Sequence, residues 1–99
     1  MLLGNILAKE NQLDRAAAVY RDVIRRLPAA VEAYNNLGLL WLQSGKLSEA
    51  KNVFEQAIRI KPDYAAAHYN LGLALRQAGD ASAADAQFQT ARRLDPRIQ

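Results

Sequence analysis

Asn36-Leu37-Gly38-Leu39 recurs unchanged as Asn70-Leu71-Gly72-Leu73, 34 residues later. Thirty-four residues earlier stands a weaker copy, Leu3-Gly4. The rest of the chain keeps the same period. Pro28, Pro62 and Pro96 are spaced by it, as are Gly4, Gly38 and Gly72. Gly45 and Gly79 form a second glycine series, in which Asn11 takes the first place. Asn is the residue that best replaces Gly where the backbone turns left-handed. Gly and Pro are the strongest punctuation a chain has, so a shared period in both reports repeated architecture.

Between these marks the apolar spacing is helical. Tyr34, Leu37, Leu40 and Trp41 form one stripe, and Leu47, Ala50, Val53, Phe54, Ala57 and Ile58 form the next. Gly45 separates the two as a helix C-cap, and Pro62 closes the second. The same pair recurs over about 65–78 and 81–94, with Gly79 between and Asp80 or Ser82 as the cap. The first copy is expected to be a short helix through Leu3, Ile6 and Leu7, a turn at Asn11, then a helix carrying Leu13, Ala16, Tyr20, Val23 and Ile24. β-Branched alternation is almost absent, so strands are not expected. Comparing 31–64 with 65–98 gives 13 identities, against about 2 to 4 by chance, so the repeat is real.

The composition agrees with a solvated helical domain. The 99 residues carry 13 Lys and Arg, 10 Asp and Glu, and 51% hydrophobic residues. The net charge of +3 is interleaved rather than clustered, which argues against a nucleic-acid surface. There is no cysteine, hence no disulfide framework or cysteine metal site. No apolar run approaches the roughly 20 residues of a membrane helix, and Met1-Leu2-Leu3 lacks the basic start of a signal peptide. The compartment is not legible.

The pattern resembles the tetratricopeptide repeat family, and the likeness covers essentially the whole chain. In the second copy it rests on Tyr34, Leu37-Gly38, Trp41, Gly45, Ala50, Phe54, Ala57 and Pro62. In the third it rests on His68, Leu71-Gly72, Leu75, Gly79, Ala84, Phe88, Ala91 and Pro96. The first copy matches at Leu3-Gly4, Leu7, Asn11, Ala16, Tyr20 and Pro28, with Val23 where the others have Ala. The resemblance implies an all-α fold: an α-solenoid of about three antiparallel helix pairs in a right-handed superhelix. One domain over 1–99 is expected, with repeat 1 at about 1–30 and short at its N-terminus, repeat 2 at 31–64 and repeat 3 at 65–98. No C-terminal capping helix is expected. The apolar side of 81–94, with Ala84, Phe88 and Ala91, is then expected to need cover from a further unit or a second copy.

No residue set suggests catalysis. His68 is a lone histidine at the place of Tyr34, with no second ligand of its kind, and reads as packing. The serines lie at turns without a basic partner, and the glycines are single and helix-bound rather than a phosphate loop. Arg25-Arg26 and Arg92-Arg93 complement helix dipoles. No cofactor or metal is implied.

The resemblance places the first helix of each unit on a concave side. The groove would then be lined by Asn5 and Lys9, by Asn35, Asn36, Leu39, Leu42 and Gln43, and by Tyr69, Asn70, Leu73, Arg76 and Gln77. Apolar groups rimmed by polar ones mark binding surfaces. A carboxamide can pair with both groups of a peptide backbone, which singles out Asn36 and Asn70. The expected function is non-catalytic protein–protein interaction with a peptide in the groove. The alternatives are self-association through uncovered end helices, or the interaction arm of a larger enzyme. Some relatives grip acidic C-terminal tails with a basic clamp. Asn5 and Asn36 match that clamp, but Met1, Ala66 and Asn70 stand where its cations belong, so such a grip would lack charge-assisted bonds.

Overall fold

The computed structural model describes residues 2–98, with side chains from Gln12 to Ile98. Five helices follow one another: α1 (Leu2–Arg26), α2 (Val31–Gln43), α3 (Leu47–Ile60), α4 (Ala65–Gln77) and α5 (Ala81–Leu94). There is no strand among the described residues. Helices α2 and α3 form one antiparallel pair and α4 and α5 the next, with α3 packed on α4 and α1 on α2. This is an α-solenoid.

The turns within the pairs follow from the second glycine series. Gly45 and Gly79 have φ of 77° and 91°, the left-handed region that Cβ disfavours. Each turn closes with two backbone bonds: Gly45 to Leu42 and Lys46 to Trp41, then Gly79 to Arg76 and Asp80 to Leu75, at 2.9–3.1 Å. That is the Schellman arrangement, which satisfies carbonyls the helix end would otherwise orphan. As expected, Asp80 caps α5 by accepting from the amide of Ala83 at 3.2 Å.

The first glycine series sets the spacing of the helices. A Cβ on Gly38 would lie 2.4 Å from the ring of Phe54, and one on Gly72 would lie 2.6 Å from the ring of Phe88. Each glycine is a notch for an aromatic ring on the second helix. Around the first notch, Ala50, Phe54 and Ala57 are all at 0% exposure. The core continues through Leu37, Leu40, Trp41, Leu71, Ala74 and Leu75, and reaches α1 through Ala17. Trp41 is additionally flanked by Arg21 and Lys46, each 5.1 Å from its ring centre.

The first unit departs from the sequence expectation. The turn expected at Asn11 is absent, and α1 runs as one 25-residue helix. The other two units turn on a glycine, and no described non-glycine residue has positive φ. At Asn11 a Cβ disfavours that turn, whereas continuing the helix gains a backbone hydrogen bond per residue.

Candidate binding groove

The two first helices, α2 and α4, touch one another, whereas α3 and α5 do not. The array therefore closes toward the α2/α4 side and opens on the other, making α2 and α4 the lining of the concave face.

The contact between α2 and α4 is polar at its centre. The amide nitrogen of Asn70 donates to the carboxamide oxygen of Asn35 at 3.0 Å, and both residues are buried, at 8% and 6% exposure. Buried amides are costly unless paired, so this bridge specifies how one unit sits against the next. Asn36 and Asn70, equivalent in sequence, are thus unlike in structure. Asn36 is exposed, while Asn70 is used between helices.

The remaining groove residues separate into three groups. Leu39, Leu42 and Leu73 are half-buried against the core, and Gln43 and Gln77 are exposed beside them. Tyr69 and Arg76 lean on Phe88: the Tyr69 and Phe88 rings are 5.4 Å apart at 50°, and the Arg76 guanidinium stands 5.5 Å from the Phe88 ring centre. Both are anchored at one edge of the groove while Arg76 remains exposed. The side chains of Asn5 and Lys9 lie outside the described residues. The structure therefore brings Asn36, Leu39, Leu42, Gln43, Leu73, Arg76 and Gln77 onto one face of two adjacent helices, and withdraws Asn35 and Asn70 from it.

His68 has a packing role. It is buried at 9% exposure, with Nδ1 2.8 Å from the Gln87 carboxamide oxygen and Nε2 2.8 Å from the Pro62 carbonyl. Tyr34 makes the equivalent bond, its hydroxyl donating to the carbonyl of Pro28 at 3.1 Å. In both the second and the third unit this position ties the first helix to the preceding loop. Gln87 was not singled out from the sequence, although it occupies the place of Val53, and a polar residue at an apolar repeat position was its signal.

The ion pairs among the described residues are local in sequence. Asp22 bonds Arg25 at 2.6 Å and Arg26 at 3.1 Å, and Asp95 receives Arg97 at 2.9 Å. Hydrogen bonds from Arg97 hold the exposed Asp95 carboxyl below its ordinary range. Among the described residues no cluster of His, Cys, Asp or Glu is arranged to hold a metal. Nor is any helix long and apolar enough to cross a membrane.

The expectation that Ala84, Phe88 and Ala91 await an additional helix is not met. They are at 1%, 8% and 0% exposure, with Phe88 seated in the Gly72 notch. The half-buried Leu47, Glu55 and Ile58 of α3 correspond on α5 to the exposed Ala81, Gln89 and Arg92.

Comparison with known proteins accords with this geometry. Family profiles described as tetratricopeptide repeat match residues 1–50 and 65–98, and one described as TPR repeat matches 41–79. A solved structure, reported as the crystal structure of MamA, superimposes with a TM-score of 0.81 at 25% identity over 96% of this chain. The chain spans 56% of that protein's length. No curated protein sequence matches it.

Proposed function

The chain belongs to the tetratricopeptide repeat family, whose repeats generally mediate protein–protein interaction, and on that premise we propose that it binds a peptide segment along the α2/α4 groove. Two full units, 31–64 and 65–98, form the framework, with α1 belonging to a first. The observation that carries the reading is the asymmetry of the two equivalent asparagines. Asn70 is consumed by its bond to Asn35, whereas Asn36 stands exposed one residue from the Leu37-Gly38 packing pair. Leu39, Leu42 and Leu73 beside it supply apolar contact while remaining half-buried, so a ligand finds a preformed surface and little side-chain entropy is lost on binding. Gln43, Arg76 and Gln77 form the polar rim.

The function is recognition without catalysis. Asn36 pairs with the ligand backbone, since a carboxamide offers both donor and acceptor. The leucines bury alternate side chains. Arg76, steadied on Phe88, favours an acidic side chain at one end, because the guanidinium is held in place before binding.

The test is to select binders from a random peptide display library on the immobilised protein, then titrate one with variants. Leu39→Ala, Leu73→Ala and Asn36→Ala should each weaken binding by about tenfold, the scale of one buried contact. The outer-face control Arg59→Ala should have no effect. Selected peptides that respond to Arg59→Ala but to none of the groove variants would refute the proposal.

A further inference from the structure

We infer that two copies of this chain associate through α1, each covering with the N-terminal half of its α1 a face of the other's α1 that is left half-bare. In the units 31–64 and 65–98, the second helix presents three residues to the first. These are Ala50, Phe54 and Ala57, all at 0% exposure, and Ala84, Phe88 and Ala91, at 1%, 8% and 0%. The equivalent residues of α1 are Ala16, Tyr20 and Val23, and all three are only half-buried. Ala17, one step around the same helix, is at 1%. So α2 covers one side of α1, and the side meant for a first helix is open.

The shape of the missing cover is given by the other units. Phe54 and Phe88 each need a glycine notch opposite the ring, supplied by Gly38 and Gly72. Tyr20 needs the same, and the period places Gly4 there, with Leu3 and Leu7 where the second unit has Leu37 and Trp41. Because α1 is one unbroken helix, positions 4 and 20 of one chain are about 24 Å apart at ~1.5 Å per residue. A chain in this state cannot seat its own Gly4 on its own Tyr20. A second copy can.

The symmetry closes. Gly38 meets Phe54 across a turn centred on Lys46, and the same relation for positions 4 and 20 is centred on Gln12. Two unbroken α1 helices, antiparallel and crossing at Gln12, therefore bring position 4 of each against Tyr20 of the other. Both bare faces are covered at once, in the isologous arrangement of a twofold dimer. Asn11 is the hinge residue, since a left-handed turn there would instead fold each segment back on its own chain.

The test uses the full chain, whose lack of cysteine makes introduced thiols unambiguous. Light scattering should give twice the 11.0 kDa chain mass at high concentration. A Gly4→Cys chain mixed and refolded with a Tyr20→Cys chain should form a disulfide-linked pair on oxidation, and neither alone should do so. Removing the tyrosine ring leaves room for the new Cβ at position 4. Asn11→Gly should weaken association by about tenfold or more, because glycine disfavours the unbroken helix and favours the turn at both hinges. The inference is overturned by a mass equal to one chain at all concentrations. It is also overturned if the disulfide forms only within a chain carrying both substitutions, or if association is unchanged by Asn11→Gly.

Discussion

Gly38→Ala is the smallest change that tests how the helices are spaced. The added Cβ would lie 2.4, 2.6 and 2.8 Å from three atoms of the Phe54 ring. Ordinary carbon contacts are about 3.5–4.0 Å, so ring and helix would have to separate by roughly 1 Å. The ring has nowhere to go, because Phe54, Ala50 and Ala57 are all fully buried. Overpacking of this kind costs about 1–3 kcal/mol. Ala is intrinsically better than Gly in a helix by up to about 1 kcal/mol, which opposes the cost. The net expectation is a loss of about 1–2 kcal/mol. For a domain of this size that lowers the Tm by roughly 5–15 °C. The assay is thermal and urea unfolding followed by helical circular dichroism. The decisive comparison is the same change in a Phe54→Leu background, where the ring atoms are gone and Gly38→Ala should become neutral or stabilising. A coupling of about 1–3 kcal/mol between the two sites is expected. A Gly38→Ala protein more stable than the parent would refute the notch reading, and with it the argument that Gly4 is kept for Tyr20.

Three further outcomes follow from particular contacts. Asn70→Ala should destabilise by about 1–3 kcal/mol, because it leaves the buried Asn35 amide without its donor. Asn35→Ala combined with Asn70→Ala should cost less than the two single losses added, as read by urea unfolding. His68→Phe should cost about 1–2 kcal/mol, while His68→Tyr, which restores the hydroxyl-to-proline-carbonyl bond that Tyr34 makes in the preceding unit, should cost less. Burial, and then the charge of Glu32, raise the Tyr64 hydroxyl above its ordinary 10.0. The folded state thus favours the neutral phenol. Its contribution is present below pH about 10 and is lost as pH rises through the elevated value. Tyr64→Phe should flatten the alkaline end of a stability–pH curve, and an unchanged slope would contradict this.

The architecture was legible because its constraints repeat. Gly45 and Gly79 are obliged by backbone geometry, and Gly38 and Gly72 by ring contact, so each appears twice in phase. What escaped the period was whatever depends on a neighbour. Asn36 and Asn70 are identical in sequence, but only Asn70 has an asparagine, Asn35, across the helix contact. Tyr69 looked like groove lining because its stripe is apolar, yet its ring leans on Phe88, 19 residues away in sequence. The unbroken course of α1 turned on a single Cβ at Asn11, a difference too small for a period to display. Likewise Ala84, Phe88 and Ala91 read as an uncovered face until their burial against α4 was seen.

The central claim is that recognition occurs on the α2/α4 groove. Its most direct measurement is a two-dimensional amide NMR titration of the protein with a selected peptide. The account predicts that the perturbed amides gather on α2 and α4 around Asn36, Leu39, Gln43, Leu73 and Gln77, with α3 and α5 quiet. Perturbations gathered instead on the outer faces of α3 and α5 would contradict it.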